Sequence, residues 1–371
     1  MEAVTHKCPN CGGALLFHPE DQKFHCPYCL SVFTEEEVLA FEKKEAAAKV
    51  ADPFAASNSS LTENVEQSDP LTKEQELPQS DLELYLCPNC GAEIVTDPTT
   101  AATFCYFCHN PVALTARLSG KFQPEKVLPF AIPKERAIHT FLEWTKKKWF
   151  IPKNFFSEEQ IQLLTGVYFP YWQINADMEG SFRGKGTTLR VWRVGELEYT
   201  ETKQFAIYRK GHLSFSHLIK NALSKNVQKN MVTSVQPFTL EKAIPFHTQY
   251  LAGFQAEKRD IEYNTLQPEV QQELKEYTAE LLKSTANRYN TVITEQIDAN
   301  IESLDNHYIL LPVWLLTYKN KGSDKVYYYA MNGETGKVAG VLPLDYLKLA
   351  FVTGGLFFAL LLLFLLGGYF L

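Results

Sequence analysis

No cysteine lies outside two short stretches of this 371-residue chain. None is therefore left over to staple loops as a disulfide framework. A positive excess is missing as well. Lys and Arg number 36 against 43 Asp and Glu, a net charge of −7, which argues against a general nucleic-acid binder. The opening "MEAVTHKCPN" lacks an apolar run, so no signal peptide is expected and the thiols should stay reduced. Enzyme signatures are absent too: no H-E-x-x-H, no Ser/His/Asp set, no paired carboxylates. "MEGSFRGKGTTLR" comes nearest to a phosphate loop. It is one residue short between Gly180 and Gly184, and Gly186 stands where a magnesium-holding hydroxyl belongs. A glycine-rich strand turn is the better reading.

What is present is one device written twice. "CPNCGGALLFHPEDQKFHCPYC" places Cys8, Cys11, Cys26 and Cys29 as C-x2-C, fourteen residues, C-x2-C. "CPNCGAEIVTDPTTAATFCYFC" repeats that spacing with Cys87, Cys90, Cys105 and Cys108. Each C-x-x-C turn aims two sulfurs at one point, and a hairpin spacer brings the second turn opposite the first. Four thiolates around Zn2+ satisfy that geometry, so one zinc is expected per ribbon, two in all. Pro9 and Pro88 pre-set φ inside the first turns, and Gly12 and Gly91 follow where φ > 0 is expected. A thioredoxin-type C-x-x-C would need a βαβ context, which is missing. His25 and His109 adjoin ligand cysteines, but four thiolates already close each site, so both read as surface residues. A closed site keeps no position for water or substrate and points to structure and recognition. Four thiolates outweigh one Zn2+ by two charges. Only Lys7 and Lys23 offset this in the first ribbon, and no Lys or Arg lies between Cys87 and Cys108 in the second. Protein partners are therefore expected rather than nucleic acid.

The composition divides the chain into a first ribbon (1–34), a short helix with an acidic flexible linker (35–80), a second ribbon (81–118), a central domain (119–345) and a membrane helix (349–371). Thr34 with Glu37 three residues on forms a capping box for the helix. The polar linker that follows predicts ribbons that move independently. Leu349 to Leu371 carries no charged side chain and, as a helix, measures about 34 Å, enough to span a bilayer. Lys337 and Lys348 on its N-terminal side predict a single-pass, tail-anchored chain with its bulk in the cytoplasm.

In the central domain "VYFPYWQI" and "YILLPVWLLTY" match at Pro170–Trp172 and Pro312–Trp314. "VLPF" (127–130) and "AIPF" (243–246) precede them, and each pair brackets a helical stretch. In the first helix Ile138, Leu142 and Trp149 supply the apolar positions; in the second, opened by Pro268, Val270, Leu274, Tyr277 and Leu281 do. A degenerate strand–helix–strand duplication and chance likeness both remain open. Asn332-Gly333 reads as a hairpin turn. "KKKW" (146–149) could meet anionic lipid, though a solvated helix end with Trp149 packed inward is preferred.

Together, "CPNCG", "LLPVWLLTYKNKG" and "YYYAMNGETGKVAG" before a C-terminal apolar segment resemble the bacterial TFIIB-type zinc-ribbon-containing membrane proteins. Some members carry primosomal, helicase-like names, which this chain, lacking a Walker motif, does not support. The resemblance implies a non-enzymatic adaptor that works with SPFH-domain and PspA-like proteins in envelope stress. It assigns the eight cysteines as metal ligands. The expected fold class is α+β: two N-terminal ribbons, a central mixed α/β domain with antiparallel sheet, and one C-terminal transmembrane helix. The alternative is a ribbon protein that binds nucleic acid in replication or transcription.

Overall fold

The structure is a computed structural model and describes residues 3–50, 83–151, 161–224, 233–319 and 326–370. From residue 51 on, the expected acidic linker lies outside these residues. The architecture is α+β, as the sequence pattern predicts.

The first ribbon is a three-stranded antiparallel sheet of β1 (Leu16–His18), β2 (Lys23–His25) and β3 (Val32–Phe33). The helix α1 (Glu35–Val50) follows. Its capping box forms: Glu37 accepts from the Thr34 amide at 2.8 Å, and Thr34 Oγ1 accepts from the Glu37 amide at 3.4 Å. The second ribbon pairs β4 (Glu83–Leu86) with β5 (Glu93–Thr96), then β6 (Thr100–Phe104) with β7 (Pro111–Ala113).

The body holds β8 (Lys126–Val127), α2 (Lys134–Lys146), β9 (Thr165–Val194), β10 (Leu197–Asn221), β11 (Ile244–Pro245), β12 (Gln255–Glu257), α3 (Tyr263–Ser284), β13 (Thr291–Lys319), β14 (Val326–Asn332) and β15 (Val338–Val341). The long strands β9 and β13 are antiparallel neighbours over most of their length. Each is flanked by a short parallel strand, β12 beside β9 and β8 beside β13, so the sheet is mixed rather than purely antiparallel.

The suspected duplication has a geometric counterpart. Pro170 lies opposite Leu310 and Pro312 opposite Tyr168, as a two-fold relation between the halves requires. Trp172 donates its indole N–H to the Ile261 carbonyl at 3.0 Å, and Trp314 donates to the Ile132 carbonyl at 2.9 Å. Each tryptophan thus bonds the segment that enters the other half's helix. One assignment changes. The counterpart of β8 is β12, which "AIPF" does not contain; "AIPF" supplies β11, which lies antiparallel against β8. The corresponding place beside β12 is taken by β6 of the second ribbon. That ribbon consequently adds β6 and β7 to the edge of the central sheet, while β4 and β5 form a sheet of their own.

Four further details depart from the pattern-based reading. The helix α3 starts at Tyr263, with Pro268 inside it, and buries Val270, Leu274, Thr278 and Leu282, while Tyr277 and Leu281 stay partly exposed. The β14–β15 loop runs over five residues, and its positive φ of 77° falls on Gly336 rather than on the Asn332-Gly333 pair. Asn332 is instead fully buried, and its side-chain amide donates to Val235 and Pro237 carbonyls at 3.1 and 2.9 Å. The glycine-rich segment is strand interior, not a turn: a Cβ on Gly180 would stand 2.7 Å from Thr278 Cγ2, so glycine there lets α3 lie close on β9. Trp149, expected inward, is 83% exposed.

Ribbon one is seated on the body. Phe17 packs edge-on against Tyr250 at 5.2 Å and leads through Phe254, 6.4 Å away, to Phe130, which stacks on Phe254 at 4.2 Å. Glu35 of α1 accepts from the Tyr250 hydroxyl at 2.7 Å. Val4 pairs with Ala113, joining the N-terminal strand segment to ribbon two. These apolar and backbone contacts hold both ribbons to one body, against the expectation that they move independently. Last comes α4 (Tyr346–Phe370), without a charged side chain after Lys348 and with nothing buried from Tyr346 to Leu365.

Candidate metal centre

Each C-x-x-C closes the same backbone turn. The Gly12 amide donates to the Cys8 carbonyl, Leu30 to Cys26, Gly91 to Cys87 and His109 to Cys105, at 2.9–3.0 Å. All four donors have positive φ: 74°, 61°, 73° and 55°. Glycine suits this conformation at two places; Leu30 and His109 adopt it at a cost of about 1–2 kcal/mol each, since Cβ crowds a carbonyl there. The turn places the following amides around the sulfurs.

The thiols converge in two groups, Cys8/Cys11/Cys26/Cys29 and Cys87/Cys90/Cys105/Cys108, with all sulfurs of a group within 4.8 Å of one another. Cys8 to Cys29 and Cys11 to Cys26 are 3.5 Å apart; Cys87 to Cys108 and Cys90 to Cys105 are 3.7 Å. Disulfide sulfurs would lie at about 2.05 Å. A tetrahedron with Zn–S bonds of about 2.3 Å has edges near 3.8 Å, which these separations approach. The donor set therefore fits zinc.

The electrostatics agree. Ser31 holds the Cys29 thiol down to about 6 by hydrogen bonding. Burial works against Cys108, but the Asn110 amide and the Asn89 side chain bring it down to about 6. Across each site the conflict runs the other way. The Gly13 amide favours a Cys11 thiolate, yet the Cys26 and Cys29 sulfurs outweigh it and push Cys11 up to about 12. Cys90 likewise rises to about 12: the Ala92 amide is outweighed by burial and by Cys108 and Cys105. Burial raises Cys8 and Cys87. Four sulfurs packed together cannot all carry negative charge without a cation among them, and a divalent ion removes that conflict. When bound, zinc would act as a structural cross-link, with all four positions filled by this chain's thiolates.

Of the two neighbouring histidines, His109 faces a cleft described below. His25 belongs to a group missed in the sequence, "HPEDQKFH". His18 and His25 stack at 4.6 Å, and Asp21 lies 2.8 Å from His25 Nε2. Among the described residues this is the third cluster with metal-ligand side chains. The H-x2-D-x3-H spacing was visible; that the hairpin would stack the rings was not.

The cleft, about 530 Å³, lies where both ribbons meet the body. Leu16 and His18 come from the first ribbon, Phe104 and His109 from the second, and Glu135 and Trp314 from the body.

Fold and site thus define a metal-binding protein with two four-cysteine ribbons, a central mixed sheet and a C-terminal helix long and apolar enough to cross a membrane. The chain is 31% identical over 369 residues to "Uncharacterized protein YdjG" of Bacillus subtilis (strain 168), covering 98% of both chains. It belongs to the family of that protein. No protein-family model matches it, and no solved structure does.

Proposed function

We propose that this chain is a non-enzymatic, membrane-anchored adaptor whose paired zinc ribbons form two walls of a docking cleft for protein partners. The observation that carries this reading is the shared cleft. Its lining combines Leu16, Phe104 and Trp314 with His18, His109 and Glu135. Apolar walls with a few polar groups suit an extended protein segment that inserts an apolar side chain and satisfies its backbone at the rim. Zinc would fix the walls, since ribbons of this size have little core of their own. The acidic balance and the scarcity of Lys and Arg in the ribbons favour a protein over a nucleic acid. In the topology proposed, α4 spans the membrane and the body lies on the cytoplasmic side. SPFH-domain and PspA-like proteins, implied by the family resemblance, are the partners to test first.

The test is cross-linking and pull-down of detergent-solubilised full-length chain from cells, with His18→Ala/His109→Ala and Glu135→Lys beside wild type. The proposal expects partner capture to fall at least ten-fold in each variant while both zincs stay bound. Undiminished capture would remove the cleft from the mechanism. Association with DNA or RNA that weakens steeply with salt would favour the nucleic-acid alternative.

A further inference from the structure

The base of α4 is not a bare exit from the body. The Asp345 amide donates to the Phe150 carbonyl at 2.7 Å, and Lys348 Nζ donates to the Ile151 carbonyl at 2.7 Å. These bonds pin the first turn of the apolar helix against the segment that follows α2. Between them runs a groove of about 340 Å³. Leu142 and Ile151 supply its apolar lining, Trp149 a wall, and Lys146, Lys148 and Lys348 its cationic groups.

From this arrangement we infer that the groove binds the phosphate headgroup of an anionic phospholipid. The inference rests on the membrane reading of α4 and deepens it. The charge count supports it. Lys348 has a carboxylate partner, Asp345 at 3.3 Å. Among the described residues no carboxylate pairs with Lys146, Lys147 or Lys148, and all three are exposed. The ammonium of Lys148 stands 5.7 Å from the Trp144 ring, and among the described residues no side chain accepts a hydrogen bond from it. The apolar lining argues for a lipid over free phosphate, because a small dianion has no use for Leu142 and Ile151. The aromatic groups match as well. Trp149 is 83% and Tyr346 72% exposed, at the first turn of a helix that carries no charged side chain after Lys348. Solvated tryptophan and tyrosine are unfavourable in water, and membrane interfaces are where their rings, one end apolar and the other polar, are enriched. With α4 inserted, the groove lies at headgroup depth.

Flotation of purified full-length chain decides the matter, using vesicles of phosphatidylcholine alone and vesicles also containing phosphatidylglycerol. In parallel, detergent-solubilised chain is titrated with short-chain phosphatidylglycerol, short-chain phosphatidylcholine and free glycerol phosphate. The wild type should float with both vesicles and bind the anionic short-chain lipid well over ten-fold tighter than the zwitterionic one. Lys146→Gln/Lys147→Gln/Lys148→Gln should still float but lose that preference by up to roughly 100-fold, from about five-fold per lysine. Trp149→Ala should weaken binding of both short-chain lipids. Equal binding of the two lipids by the wild type, or a preference that survives the triple substitution, overturns the headgroup site while leaving the anchor intact. Glycerol phosphate competing as well as the lipid also overturns it, in favour of a soluble phosphate ligand. Failure of the wild type to float with either vesicle sinks the anchor reading and this one together.

Discussion

At the scale of single residues, the metal centres depend on a backbone requirement as much as on sulfur. Four turns need a positive φ directly after the second cysteine of each pair, and only Gly12 and Gly91 supply it without strain. Leu30 and His109 are tolerated because the surrounding ribbon over-determines their conformation. The thiols of each group come prepared for one divalent ion: Cys29 and Cys108 are readily ionised, while Cys11 and Cys90 resist ionisation until a cation joins them. Wild-type chain is therefore expected to hold two zinc ions. Cys11→Ser and Cys90→Ser should each release one and leave the other, because the two sulfur groups share no ligand. Metal analysis of purified protein tests this, and a wild-type content of one zinc or fewer would defeat the reading of two structural sites.

At the scale of elements, the paired strands β9 and β13 carry the body, and the two indole hydrogen bonds tie each half's long strand to the other half's helix entry. The Ile261 and Ile132 carbonyls would lose their indole donors if Trp172 or Trp314 became phenylalanine. Each substitution should cost about 1–3 kcal/mol, the range for a buried polar group left unpaired. The internal two-fold relation predicts costs of similar size at both sites. Urea unfolding of each variant measures them, and a cost confined to one tryptophan would show that the relation is geometric only. Glycine has an equally local role in β9: Gly180 and Gly186 leave room for Thr278 and Tyr289, and without that room α3 and the segment after it could not lie on the strand.

At the scale of the whole molecule, the two ribbons and the body make one unit, from which β9, β10 and β13 project as an arm. From Val167 to Val194 the strand extends about 90 Å at roughly 3.3 Å per residue, before any allowance for twist. Beyond Thr187, the last residue of β9 to pair with β13, the arm narrows to the β9–β10 hairpin, where Trp192 stacks on Tyr199 at 5.6 Å. The helix α4 leaves from the opposite, body end, after β15. From Tyr346 to Leu365 none of it is buried, so it adds little to the packing of the body. Removing residues 346–371 should accordingly give a chain that stays in solution without detergent and keeps both zincs. Size-exclusion chromatography and metal analysis check this. Aggregation of the truncated chain with loss of zinc would mean that α4 completes the fold.

The order of residues alone specifies the eight ligands, their grouping into two sites, the apolar C-terminal helix and the α+β class. Each of these is written in local spacing: sulfur pairs at C-x-x-C, a long charge-free run, periodic apolar residues between turns. The matching Pro-x-Trp motifs also made the duplication visible, although "AIPF" pointed to the wrong strand. Where the pieces meet came from long-range packing. Ribbon two joined the central sheet through β6 and β7 because β6 pairs with β12, more than 150 positions away. Ribbon one docked because Phe17 found Tyr250 and Phe254, and Trp149 reached the base of α4 because Phe150 and Ile151 accept from Asp345 and Lys348. Those outcomes come from backbone pairing and side-chain packing between distant segments, and no local periodicity encodes which distant partner a strand edge or an aromatic ring will find.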